Sequence, residues 1–180
     1  IWNGIHQCYM FQESLKQVSN EYVTDEMKKQ YLAESNFLIA YYHFLSMRSY
    51  GPTMIIRSVI DLETPISGFP ERSSIDEVVA FINEKLDEAM SEGGLPTTWS
   101  GKDYGRATRL AALALKSRVY LYAASPLYNG NTEMYADFRS PLDGRQLIAQ
   151  EKSQAKWEIS ATQTKYAIDE VEKAKFHLYH

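Results

Sequence analysis

Apolar positions along the chain recur at steps of three and four residues, and no stretch shows convincing strand-like alternation. Ile5, Cys8, Phe11, Leu15 and Val18 predict a first helix over about residues 1–20, with Met10 less well placed. Thr24 or Asp25 can cap a second helix, which Gly51-Pro52 stops after Tyr50. Tyr31, Leu38, Tyr41, Tyr42 and Leu45 form one apolar stripe on it; Ala33, Phe37, Ala40, Phe44 and Met47 form another. Two stripes call for two neighbours, which makes this an interior helix. Residues 51–73 contain Gly51, Pro52, Pro65, Gly68 and Pro70 and read as a long connection, with a short extended piece at 54–56. Connections of that length are uncommon and often functional. Ser74 followed by Ile75-Asp76-Glu77 is a capping box that opens the next helix. Ile75, Val78, Val79, Ile82, Leu86, Ala89 and Met90 give it a single buried stripe, and Gly93-Gly94 with Pro96 end it.

The stretch from Gly105 to Gly130 predicts a long central helix with a hard stop at Ser125-Pro126. Asp103 or Gly105 can start it, and leucines, valine and alanines occupy nearly every angle around its axis, so neighbours are expected on all sides. Arg109 and Lys116 share a face, assigned to water. Arg118 lies roughly opposite, at ~100° per residue, and is expected to be buried and paired with Glu34, Asp76 or Asp87. A turn-rich region follows, with a short helical turn near 134–138. The last helix starts near Gln154 and keeps a 3.6-residue period through Trp157, Ala161, Thr164, Ile168, Val171, Ala174 and Leu178. Trp157 is assigned a structural role. The fold class is therefore all-α: antiparallel helix pairs with small residues at their contacts, in a TPR-like right-handed superhelix with long loops. No fixed 34-residue repeat is present, and periodicity alone also allows a plain helical bundle.

Length and charge narrow the function classes. The 180 residues suffice for one domain with a substantial core. A net charge of −4 without a Lys/Arg run argues against a nucleic-acid surface. The single cysteine, Cys8, excludes an internal disulfide and a Cys-based zinc site, and reads as a small core residue. No run of ~18 apolar residues is long enough to span a membrane. The chain opens at Ile1-Trp2 and stops at His180 inside what read as helices, so a piece of a longer protein is expected.

Catalytic patterns are mostly absent. His6, His43, His177 and His180 are scattered and belong to no metal-binding motif. His43 reads as a satisfied core histidine. A glycoside hydrolase needs two carboxylates across a cleft. The pairs Asp25/Glu26, Asp76/Glu77, Asp87/Glu88 and Glu170/Glu172 instead sit in helix-cap or solvent-face settings. No phosphate-binding loop or nucleophile elbow occurs, and no cofactor is implied. The better lead is aromatic. Trp99 and Tyr104 lie between two helices, and Tyr128 and Asn129 lie just past a helix stop. Rings in loops can stack on the apolar face of a sugar while nearby amides and carboxylates bond its hydroxyls.

Four stretches in order resemble the SusD/RagB family of outer-membrane nutrient-binding lipoproteins. They are AESNFLIAYYHFLSMRSYGPTMII (33–56), ERSSIDEVVAFINEKLDEAM (71–90), LPTTWSGKDYGRATRLAALALKSRVYLYAASPLYNGN (95–131) and MYADFRSPLDGRQLIAQEKSQAKWEISATQTKYAID (134–169). The third is the most specific. The resemblance covers residues 1–180 as a single helical region and accounts for part of a family member. It implies a non-catalytic, lipid-anchored protein of the outer membrane at the cell surface, which captures oligosaccharide and delivers it to a SusC-type TonB-dependent transporter. A peptide-capturing lid of the RagB kind is the alternative, and a helical glycoside hydrolase a weaker one. His6 and Tyr9 stand where the family pattern often shows Arg and Asn, which leaves open the polar contact made from the first helix.

Overall fold

The computed structural model describes residues 1–61 and 63–177. It is mostly helical: α1 (Trp2–Gln17), α2 (Asp25–Tyr50), α3 (Ile75–Ala89), α4 (Arg109–Ala124), the short α5 (Thr132–Tyr135) and α6 (Gln154–Lys173). Leu178 and His180 lie outside the described residues. The extended piece expected at 54–56 overlaps at Met54 with a two-residue strand, β1 (Thr53–Met54), which pairs antiparallel with β2 (Arg72–Ser73) in the register Thr53 to Ser73 and Met54 to Arg72. This ladder closes the root of the 51–73 connection. α2 packs on α1 and α3, α3 on α4, and α4 on α6, so successive long helices lie side by side.

Local chemistry sets the helix starts. The Thr24 hydroxyl accepts the Met27 amide, and the Ser74/Glu77 capping box forms in both directions. Its backbone and hydroxyl donors hold the Glu77 carboxyl below the usual carboxylate range. The end of α3 requires glycine. Gly93 has φ 77°, and a Cβ on Gly94 would stand 2.5 Å from the Ala89 carbonyl oxygen.

Two cores result. The larger joins α2, α3 and α4 through Phe44, Met47, Val78, Ile82, Leu86, Ala112, Val119 and Ala123. The smaller joins α1, α2, α3 and the 51–73 connection through Ile5, Tyr9, Ile39, Ile56 and Phe81. His43 is fully buried between these elements. Its Nδ1–H donates to the Ile39 carbonyl at 2.7 Å, and its Nε2 accepts the Ile56 amide at 3.2 Å. The Tyr9 hydroxyl donates to the Ile56 carbonyl at 2.8 Å. Both backbone groups of Ile56 are thus held by side chains from two helices. Tyr9, one of the two departures from the family pattern, makes the polar contact that the sequence left open.

The expectations for α4 and α6 need correction. α4 starts at Arg109, capped by Thr108, because Gly105 has φ 98° and Gly101–Asp103 forms a separate 3-10 turn. α4 is not enclosed on all sides by the described residues: Ala111, Ala114 and Arg118 are exposed, and Leu121 is 50% exposed. Arg118 is therefore neither buried nor paired to a described residue. The carboxylates proposed for it are taken by other cations: Glu34 by Arg106, Asp87 by Lys116 and Asp76 by Lys156. Lys116 lies on the face packed toward α3, so the expected wet and dry sides of α4 are exchanged. α6 is also rotated from its expected stripe. Ser160 and Ala167 are its buried residues, while Ile168 is 47% exposed. Small and polar groups allow the close α4–α6 approach, and Ser117 and Thr164 share a hydrogen bond across it at 2.7 Å.

Candidate functional site

The connection from Pro96 to Thr108 is closed at its base by the Arg109 amide, which donates to the Pro96 carbonyl at 2.8 Å. Inside it, the Trp99 indole N–H donates to the Ala107 carbonyl at 2.7 Å. The Arg106 guanidinium lies 4.1 Å from the Trp99 ring centroid and 5.7 Å from that of Tyr31. Its edge engages Glu34 of α2 through two N–H groups and Asp103 through a third at 2.9 Å. These acceptors stabilise the charged guanidinium and raise its pKa further. Arg106 thus fixes the loop to α2 by stacking and by a fork of charge-assisted bonds.

Replacing Arg106 by lysine keeps the charge but loses the planar fork and the stack. We expect Arg106→Lys to lower the unfolding free energy by about 1–2 kcal/mol and to red-shift the emission of Trp99. Unchanged stability and emission would mean that the loop is held without this residue.

The pinned loop leaves one ring in water. Tyr104 is 86% exposed and stands beside Trp99 over a cavity of about 490 Å³. Thr97, Thr98 and Thr108 supply hydroxyls to its lining, and Phe176 closes it from the end of α6. Phe176 is aimed by a Schellman turn. Lys175 takes φ 63°, its amide donates to Glu172, and the Phe176 amide donates to Val171 at 3.2 Å. The notch therefore combines an exposed phenol, a half-buried indole, a phenyl ring and three hydroxyls. That combination suits a neutral ligand with apolar faces and hydroxylated edges.

Trp99 and Tyr104 line the same cavity; Tyr128 and Asn129 do not join them. Tyr128 is only 3% exposed, and its hydroxyl donates to the Met47 carbonyl at 3.2 Å, linking the segment after α4 to the end of α2. Asn129 is 4% exposed. Its amide nitrogen donates to the Ala124 and Ser153 carbonyls, and its oxygen accepts the Ser153 amide at 2.8 Å, joining the end of α4 to the start of α6. Both residues hold the scaffold, because the turn after Pro126 folds inward. Trp157 is half-buried in the first turns of α6. Arg106 and Phe176 were missed. Arg106 had a readable signal, an arginine beside Asp103 and aromatic loop residues; Phe176 had none, because it depends on a left-handed lysine.

The acidic pairs considered for catalysis sit in structural settings. Asp76 pairs with Lys156, Asp87 with Lys116, Glu88 with Lys85 and Glu170 with Lys173. Among the described residues no group of three or more His, Cys, Asp and Glu could hold a metal ion, and no helix is long and apolar enough to cross a membrane.

A SusD-like family description, "Starch-binding associating with outer membrane", matches residues 1–121. Among solved structures, BT4246 is 35% identical with a TM-score of 0.87, over 97% of this chain and 30% of its own. Surface glycan-binding protein A from Bacteroides fluxus is 28% identical with a TM-score of 0.57, over 79% of this chain and 30% of its own. A laminarin-binding SusD-like protein is 25% identical with a TM-score of 0.59, over 68% of this chain and 25% of its own. A comparison with curated proteins finds no match. The chain belongs to the SusD-like family, whose members are non-catalytic glycan-binding proteins associated with the outer membrane. It spans about 30% of the length of BT4246.

Proposed function

We propose that residues 1–180 form one helical region, a TPR-like right-handed superhelical scaffold, of a longer lipid-anchored cell-surface protein. That protein captures oligosaccharide and delivers it to a SusC-type TonB-dependent transporter. The match of residues 1–121 to the starch-binding, outer-membrane-associated family carries this reading. The laminarin-binding relative and the surface glycan-binding protein support a glycan over a peptide. Within this chain the ligand contact is assigned to Trp99 and Tyr104, because Tyr104 exposes its ring over a hydroxyl-lined cavity while Arg106 holds the loop rigid. A ring fixed before binding loses little conformational freedom when a sugar stacks on it.

Calorimetry on the full-length protein tests this, with maltoheptaose, laminarihexaose and a set of other soluble oligosaccharides. Binding to at least one glycan is expected, and Tyr104→Ala should weaken it about tenfold. Binding to peptides with none to any glycan would replace the reading with a peptide-capturing lid. Co-purification with a large outer-membrane β-barrel tests the transporter part separately; recovery of the protein without one would remove that part.

A further inference from the structure

A second set of exposed rings gathers where the 51–73 connection meets the start of α1. Trp2, Tyr50 and Phe69 are 37%, 60% and 43% exposed. Two cavities open among them, of about 340 Å³ and 520 Å³, both within the size range of small-ligand sites. Trp2 and Met54 line both cavities, so the two share a wall. His6, Ser58, Asp61 and Phe69 line the smaller one together with Ile56 and Ile60; Tyr50, Thr53 and Arg72 help to line the larger. No residue of either cavity belongs to the Trp99 notch.

This region is rigid at its root. Ile56 is held on both sides, by Tyr9 and His43. The Arg72 guanidinium donates to the Pro52 carbonyl at 2.7 Å, and the β1–β2 ladder closes the neck. Rings that remain exposed on such a fixed frame are pre-organised for a ligand. Their polar neighbours are of mixed kind: an imidazole, a hydroxyl and a carboxylate in one cavity, a guanidinium in the other. Such a mixture favours a neutral, hydroxyl-rich ligand over an anion, which would call for clustered cations.

We propose that this collar around Trp2 is a second sugar-binding site, taking neutral hexopyranose units of a glycan in the two cavities that share the Trp2 ring. The inference rests on the glycan-capture reading and extends it to a second surface. The test is calorimetry on the full-length protein with maltoheptaose and laminarihexaose, comparing the parent with Tyr50→Ala/Phe69→Ala and with Trp2→Phe. The double variant removes only well-exposed rings, so folding should persist, with an unchanged circular dichroism spectrum and melting temperature. Its affinity should fall about tenfold, and Trp2→Phe, which keeps a ring, should lose less. A folded double variant with parental affinity, while Tyr104→Ala weakens binding, would remove this site and leave the capture reading standing. A lowered melting temperature with parental affinity would assign the collar to internal packing and reject the proposal. Absence of binding by the parent to either glycan or to the wider set would remove both readings.

Discussion

Phe44→Ala is expected to lower the unfolding free energy by about 3–5 kcal/mol, the range for deleting a fully buried aromatic side chain. Phe44 is 1% exposed and sits in the core shared by α2, α3 and α4. Its ring meets Tyr122 of α4 edge-on, with centroids 5.2 Å apart and planes at 81°. α2 and α4 otherwise have little direct packing, because α3 packs against both. The Phe44–Tyr122 pair ties them directly, and the hydrogen bond from Tyr128 to the Met47 carbonyl ties the segment after α4 to the end of α2. Truncation therefore opens a cavity where three helices meet, and the surrounding backbone has few ways to collapse into it. Phe44→Leu separates the contributions. It keeps much of the volume but loses the edge-to-face contact, whose own worth is about 0.5–1.5 kcal/mol. Urea unfolding of both variants should give the alanine change the clearly larger loss. A loss below about 1 kcal/mol for alanine would contradict the placement of Phe44 in the core, given the general range for such truncations.

The features legible in the sequence were those that neighbouring residues decide. Thr24 and the Ser74/Glu77 box name their helix starts because the capping bonds reach only three residues along the chain. Gly51 and Ser125-Pro126 name their stops for the same reason. The α3 stripe was readable because one face meets the core and the other meets water. α4 resisted this reading. Its apolar residues surround the axis, so periodicity cannot say which side is open, and Arg118 was assigned to the wrong one. The competition for carboxylates was equally hidden: Asp76, Asp87 and Glu34 find partners 80, 29 and 72 residues away. In the candidate site, Trp99 and Tyr104 were visible as loop aromatics, whereas the inward turn that buries Tyr128 and Asn129 depends on bonds to Met47 and Ser153. Nor could the sequence show that Tyr9 and His43 converge on Ile56, since α1, α2 and the 51–73 connection must pack before the three meet.

That convergence makes acid a selective probe of the fold. His43 is 0% exposed, with Nδ1 donating to Ile39 and Nε2 accepting from Ile56. A second proton would turn Nε2 into a donor facing the Ile56 amide. It would also place a charge beside the Phe81 ring, whose centroid is 4.7 Å away. Burial pushes the imidazole down to about 4; the Ile39 carbonyl opposes this, and the Arg57 and Lys85 charges add to it. With a folded value below the ordinary 6.5, the unfolded chain binds the extra proton first. The stability from neutral His43 is thus complete above pH 6.5 and lost as pH falls from there toward 4, by an amount on the order of 3 kcal/mol. Glu77 and Asp143, both held below their ordinary carboxylate values, lose their contributions at lower pH than His43 begins to. Urea unfolding from pH 7 to pH 4.5 should therefore show a decline that His43→Leu removes. At neutral pH that variant should start about 1–3 kcal/mol lower, because the Ile56 amide loses its acceptor. An equal decline in His43→Leu would transfer the effect to other groups. Hydrogen exchange locates the weak point: the Ile56 amide should lose protection in acid before the amides of α3, because its acceptor is the nitrogen that takes the proton. Ile56 anchors the connection that carries Phe69, so acid should loosen the Trp2 collar while the core around Phe44 stays closed.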